Sequence, residues 1–116
     1  MIPLKDIRYV RLGTADLDHA VQYAVRLLGL ELVRRDSSGA YLRADDRDHT
    51  LVYTSGNPRD HVVAFEVDSA KELDAAAAEL EKAGHGVRAG TRLECEQRCV
   101  DAFIAFKDPS GNSVEL

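Results

Sequence analysis

The stretch "DPSGNSVEL", residues Asp108 to Leu116, decides how this chain is read. Its first five residues make a tight turn, because proline presets φ and glycine and asparagine tolerate the left-handed backbone. A short strand follows, and its next-to-last residue is a carboxylate, Glu115. A glutamate there can be a metal ligand, the remnant of one, or an exposed strand residue. The choice depends on its partners.

Working outward, Phe103 to Lys107 and a segment around Val87 read as the strands before it, with Ser113 to Leu116 as the last. Further upstream, His61 to Val67 is β-rich. Ser69-Ala70-Lys71-Glu72 is a capping box, S-x-x-E, in which each side chain can satisfy the other's backbone N–H. The helix it opens runs to about Ala83, with Leu73, Ala76, Ala77 and Leu80 on one face, and Gly84 ends it. The same order stands in the first half. A strand spans Ile7 to Thr14, and Asp16 caps a helix over Leu17 to Leu28 that Gly29 closes. Three strands follow: Leu30 to Arg35, Ala40 to Arg43 and Thr50 to Ser55. The chain is thus α+β, βαβββ written twice, with unit 1 at about 5–56 and unit 2 at about 60–116 of one 1–116 module. The segment TRLECEQRC, Thr91 to Cys99, reads as either a short helix or an irregular crossover.

The bulk numbers exclude several classes. With 116 residues there is one domain with one modest core. A net charge of −5 speaks against nucleic acid as a partner. No apolar run reaches the ~20 residues of a membrane span. MIPLKDIRYV lacks the apolar core of a signal peptide, which points to the cytoplasm. Cys95 and Cys99 read as reduced thiols without a metal role. His19 reads as exposed on a helix, His49 as part of a solvated acidic turn with Asp45, Asp46 and Asp48, and His85 as a cation at a helix C-terminus.

With these elements in order, the sequence resembles the vicinal oxygen chelate superfamily, which includes glyoxalase I, bleomycin resistance proteins and type I extradiol ring-cleavage dioxygenases. The resemblance covers essentially the whole chain, and its carriers are "ADLDHAVQYAVRLLGLELV" (15–33), "HVVAFEVDS" (61–69) and "FKDPSGNSVEL" (106–116). The resemblance implies a curved mixed sheet with helices on its outer face and a concave cup. In the ring-cleaving enzymes it also implies Fe(II) or Mn(II) held by two histidines and one glutamate, the triad that leaves coordination positions open. Glu115 falls on the glutamate position. The histidine positions fall on Tyr9 and Val62. Tyr9 is a weak substitute, since a phenol with a pKa of about 10 is neutral. His61 is one residue from the second position, but strand alternation turns it to the other face if Phe65 and Val67 lie under the helices. The carboxylate of the glyoxalase variant has no counterpart in TLVYTS, 50–55.

The cup is then lined by Tyr9, Arg11, Val62, Ala64, Glu66 and Glu115. The chain is expected to have no catalytic residue and to bind no metal or other cofactor itself, Glu115 being a lone retained ligand position. Glu66 with Glu115 is a carboxylate pair for acid–base work in a third reading, a divergent lyase or isomerase. The leading reading is the metal-free N-terminal module of an extradiol dioxygenase, supported by "IRYVRLGTADLDHAVQYAVRLLGL" and "FEVDSAKELDAAAAELEKAGHGV". Its partner would be a catalytic module of the same fold holding Fe(II) or Mn(II). The alternative is a free-standing, dimeric protein of the bleomycin-resistance kind that sequesters a small aromatic or antibiotic ligand. Apolar sheet edges and an uncovered cup imply self-association as a two-fold dimer.

Overall fold

The computed structural model describes residues 1–116. The element order is β1 (Asp6–Thr14), α1 (Leu17–Arg26), β2 (Glu31–Asp36), β3 (Gly39–Arg43), β4 (Leu51–Ser55), β5 (His61–Glu66), α2 (Ala70–Lys82), β6 (Arg88–Ala89), α3 (Arg92–Arg98), β7 (Ile104–Lys107) and β8 (Ser113–Glu115). The α+β class and the repeated βαβββ order are those expected from the sequence, with one added helix, α3. The backbone forms two compact units, Tyr9–Val62 and Met1–Arg8 with Val63–Leu116.

In the Tyr9–Val62 unit the strand order is β2-β3-β4-β1. β3 is antiparallel to both β2 and β4, and β1 runs parallel to β4. Asp16 caps α1 by accepting the His19 N–H at 3.0 Å. The helix buries Val21 and Ala24 against Ala40 and Leu42 of β3, with Leu17, Leu30 and Tyr53 around them. It ends at Arg26, two residues short of the expected Leu28. Gly29 turns the chain at φ 72°, which lets the Leu30 N–H reach the Ala24 carbonyl at 3.0 Å and closes the helix early.

In the other unit the order is β5-β8-β7-β6. β7 is antiparallel to both β6 and β8. Leu73 and Ala76 of α2 pack on Ile104 and Leu116, with Phe65, Val67 and Phe106 beside them. This fixes the parity of β5 as expected. His61 is exposed, and its Nδ1–H donates to the Arg59 carbonyl at 3.0 Å. Only half of the expected box forms at Ser69, whose Oγ accepts from the Glu72 N–H at 3.3 Å. The reciprocal box is at Thr91 and Glu94 instead, where TRLE opens α3. The ambiguous segment TRLECEQRC is therefore a helix, closed by Cys99 at φ 53°.

The expectation of apolar sheet edges is corrected. β2 reads Glu-Leu-Val-Arg-Arg-Asp with a register shift between Leu32 and Arg34, and β6 has two residues.

Candidate functional site

On the face of the Tyr9–Val62 sheet opposite α1, register alone assembles a row. Arg11 pairs with Val52, Val52 with Tyr41, and Tyr41 with Arg34. Val52 and Tyr41 are fully buried. The Arg34 guanidinium lies 4.1 Å from the Tyr41 ring centroid, a cation–π contact, and the Arg11 guanidinium 6.0 Å from it. The Tyr41 hydroxyl meets Ser38 Oγ at 2.6 Å. Ser38 spends its own proton on Asp36, so the tyrosine donates.

The connection between β3 and β4 folds His49 over this row. Its imidazole centroid is 5.3 Å from the Tyr9 ring and 5.1 Å, edge-on, from the Tyr41 ring. His49 Nδ1 donates to Asp48 at 2.7 Å, and Arg34 Nη1 donates to both Asp48 oxygens at 2.9 and 2.7 Å. The expected solvated turn is thus corrected: His49 is 3% exposed. Two aromatic walls and the Asp48–Arg34 pair offset the desolvation that acidic neighbours alone would not. Burial pushes the Asp48 carboxyl up, but the His49 and Arg34 hydrogen bonds outweigh it and hold it at about 2. Burial pushes the His49 imidazole below its ordinary value, against the pull of Asp48. Two atoms here are buried without a hydrogen-bond partner, His49 Nε2 and Arg11 Nη1. Each such group costs roughly 1–3 kcal/mol if left so.

Glu115 has a partner after all. In its own unit, Leu116 packs under α2, so alternation turns Glu115 to the other face. There its two oxygens accept from Arg98 Nε and Nη2, both at 2.8 Å. Glu115 is 3% exposed and Arg98 8%. Arg98 stands in the last turn of α3, with its guanidinium 4.5 Å from the Phe103 ring centroid. Gly90 makes room for that ring, since a Cβ on it would sit 2.1 Å from Phe103 Cε1. Glu94 anchors the start of α3 through Arg88 at 2.7 Å. That arginine and the Thr91 N–H hold its carboxyl at about 2.

The six expected residues divide between the units. Tyr9 and Arg11 join the His49 cluster, and Val62 is half-buried on β5. In the other unit Ala64 is buried, and Glu66 is half-buried with its carbonyl accepting from Lys5 N at 2.9 Å. Sequence reasoning missed Arg34, Tyr41, Asp48, His49 and Arg98. The capping box T-x-x-E at Thr91 was the available signal for α3 and hence for Arg98.

A divalent metal does not fit the positions that the resemblance assigns to its ligands. Both oxygens of Glu115 are taken by a guanidinium, the Tyr9 ring packs against His49, and Val62 has no donor atom. No three His, Cys, Asp or Glu side chains are grouped to hold an ion elsewhere.

The family described as "Glyoxalase/Bleomycin resistance protein/Dioxygenase superfamily" matches residues 6–116. An iron-dependent extradiol dioxygenase of Rhodococcus jostii (strain RHA1) is 33% identical over 97% of this chain and 38% of its own length. A biphenyl-2,3-diol 1,2-dioxygenase of Sphingomonas paucimobilis is 28% identical over 100% and 40%. The crystal structure of a catechol 2,3-dioxygenase superposes with a TM-score of 0.87 at 26% identity, over 97% of this chain and 40% of that one. This chain spans about two fifths of the length of these relatives. The chain belongs to the glyoxalase/bleomycin resistance protein/dioxygenase superfamily.

Proposed function

We propose that this chain is the non-catalytic, N-terminal type of module of an extradiol ring-cleaving dioxygenase. Its role is to pack against and support a catalytic module of the same fold, which holds Fe(II) or Mn(II). The observation that carries this reading is the bidentate Arg98–Glu115 pair. The one acidic residue at a ligand position already serves an internal cation, and the two remaining positions, Tyr9 and Val62, offer no imidazole. The named activities of the relatives and the two-fifths coverage support it further.

The test is direct. The 116-residue chain is incubated anaerobically with Fe(II), then given O2 with catechol, 3-methylcatechol or 2,3-dihydroxybiphenyl. No yellow ring-fission product is expected above the protein-free Fe(II) control, and elemental analysis is expected to find no stoichiometric metal. Metal-dependent turnover, lost on Glu115→Gln, would overturn the reading.

A further inference from the structure

We propose that Arg11 and His49 hold one internal water molecule between them, on the sheet face opposite α1. The two atoms concerned are the unpartnered buried ones of this cluster, Arg11 Nη1 and His49 Nε2. Both residues border the same Tyr41 ring, and Arg11 stands two positions along β1 from Tyr9, which His49 also touches. Arg11, Tyr9, Val52 and Tyr41 therefore share one face, with the imidazole over it.

The chemistry of the two atoms selects the occupant. His49 Nδ1 carries its proton toward Asp48, and burial disfavours a second proton on the ring. Nε2 is then a lone-pair acceptor. Arg11 Nη1 is a donor only. The bridging group must donate to one and accept from the other. A halide or oxyanion without a proton has nothing to give Nε2, and a metal cation is repelled by Arg11 and by Arg34 on the same row. An apolar group leaves both atoms unpaired. Water does both, and two polar partners are within the range that buried water uses. The molecule ties β1 to the β3–β4 connection and completes the polar network that begins at Arg34 and runs through Asp48 and His49. The groups facing His49 are Tyr9 and Arg11 from β1, Arg34 from β2, Tyr41 from β3 and its own neighbour Asp48.

Imidazole-15N NMR at pH 7 tests this, with water-17O relaxation dispersion as an independent reading. The expected His49 spectrum is neutral with the proton on Nδ1, and with Nε2 shifted upfield of an unbonded imidazole nitrogen. Arg11→Met is expected to move Nε2 back toward the unbonded position, with unchanged far-UV circular dichroism. Relaxation dispersion is expected to lose one long-lived water in both Arg11→Met and His49→Leu. Should either variant unfold, the wild-type measurements decide. An unbonded or protonated Nε2 in the wild type overturns the proposal, and so does the absence of any long-lived water. A crystal structure in which a side chain fills the gap instead also overturns it.

Discussion

In the Tyr9–Val62 unit the second hairpin is the long one. Asp36 and Gly39 pair across a two-residue turn between β2 and β3, whereas residues 44–50 intervene between β3 and β4 and carry His49. In the other unit the first hairpin is long. Residues 90–103 separate β6 from β7 and include α3, while Asp108 and Asn112 close the turn before β8 with a 2.9 Å backbone bond. In each unit one face of the sheet is taken by the long helix, α1 or α2. The opposite face receives its cover from whichever hairpin is extended. One unit covers it with an imidazole on an aromatic row, a network that leaves two atoms for water. The other covers it with a guanidinium that satisfies a carboxylate completely. A repeated order of elements therefore does not imply a repeated interior.

The largest expected effect lies in the satisfied pair. Arg98→Met leaves Glu115 as a buried, uncompensated charge and should cost about 3–5 kcal/mol in urea unfolding. Adding Glu115→Leu should recover most of that loss, because replacing both partners by apolar groups removes the stranded charge. If the single change costs no more than the corresponding change in the other unit, the contrast between the two interiors is broken.

That corresponding change is His49→Leu, expected to cost roughly 1–3 kcal/mol. Asp48 keeps its two bonds to Arg34, so the network loses a member without collapsing. Acid titration sharpens the comparison. His49 lies below its ordinary value of 6.5 in the folded chain, so the unfolded chain takes the proton first. Its contribution is complete above pH 6.5 and is lost as the pH falls below it. Asp48, lowered from 3.8 to about 2, contributes above pH 3.8 and loses that contribution as the pH falls toward 2. Glu94 in the other unit behaves alike, from 4.5 to about 2. Stability measured against pH should thus fall in two stages. His49→Leu should abolish the one that begins near pH 6.5. By removing one of the hydrogen bonds that hold Asp48 down, it should also shrink the Asp48 share of the one below 4.5, while leaving the Glu94 share intact.

The smallest effect concerns the cover itself. Thr91→Ala removes the oxygen that caps α3 and should cost about 1 kcal/mol. Arg98 would then be held by a frayed helix, and amide exchange should quicken along Arg92–Arg98 while α1 is unchanged.

Much of this was legible in the sequence. Period and caps located every strand and both long helices, and the alternation of Val63, Phe65 and Val67 set the parity of β5. That alternation sets His61 apart from the face of Val62, and His61 is exposed at the start of the strand. The two covers were not legible, for a physical reason. Arg98 meets Glu115 across 17 positions, through a helix whose polar composition gave no apolar stripe to read. His49 is buried by Tyr9 and Tyr41, which come to one place only through strand register. Its flanking aspartates signal solvent when read locally, yet Asp48 is the group that fixes it. Local pattern reports which residues form elements, whereas charge pairing between distant elements depends on the packing itself.

The irregular, charged β2 has a consequence for behaviour at high concentration. β2 ends the strand order of its unit, and a long flat strand there would offer unpaired backbone groups to other chains. Here the register shift at Leu32 and Arg34 spoils the straight ladder that a docking strand needs. Its side chains are also committed, Glu31 to Arg43, Arg34 to Asp48 and Arg35 to Asp18, so an incoming strand would have to displace ion pairs as well as water. Amyloid-like growth by strand addition is disfavoured along this border.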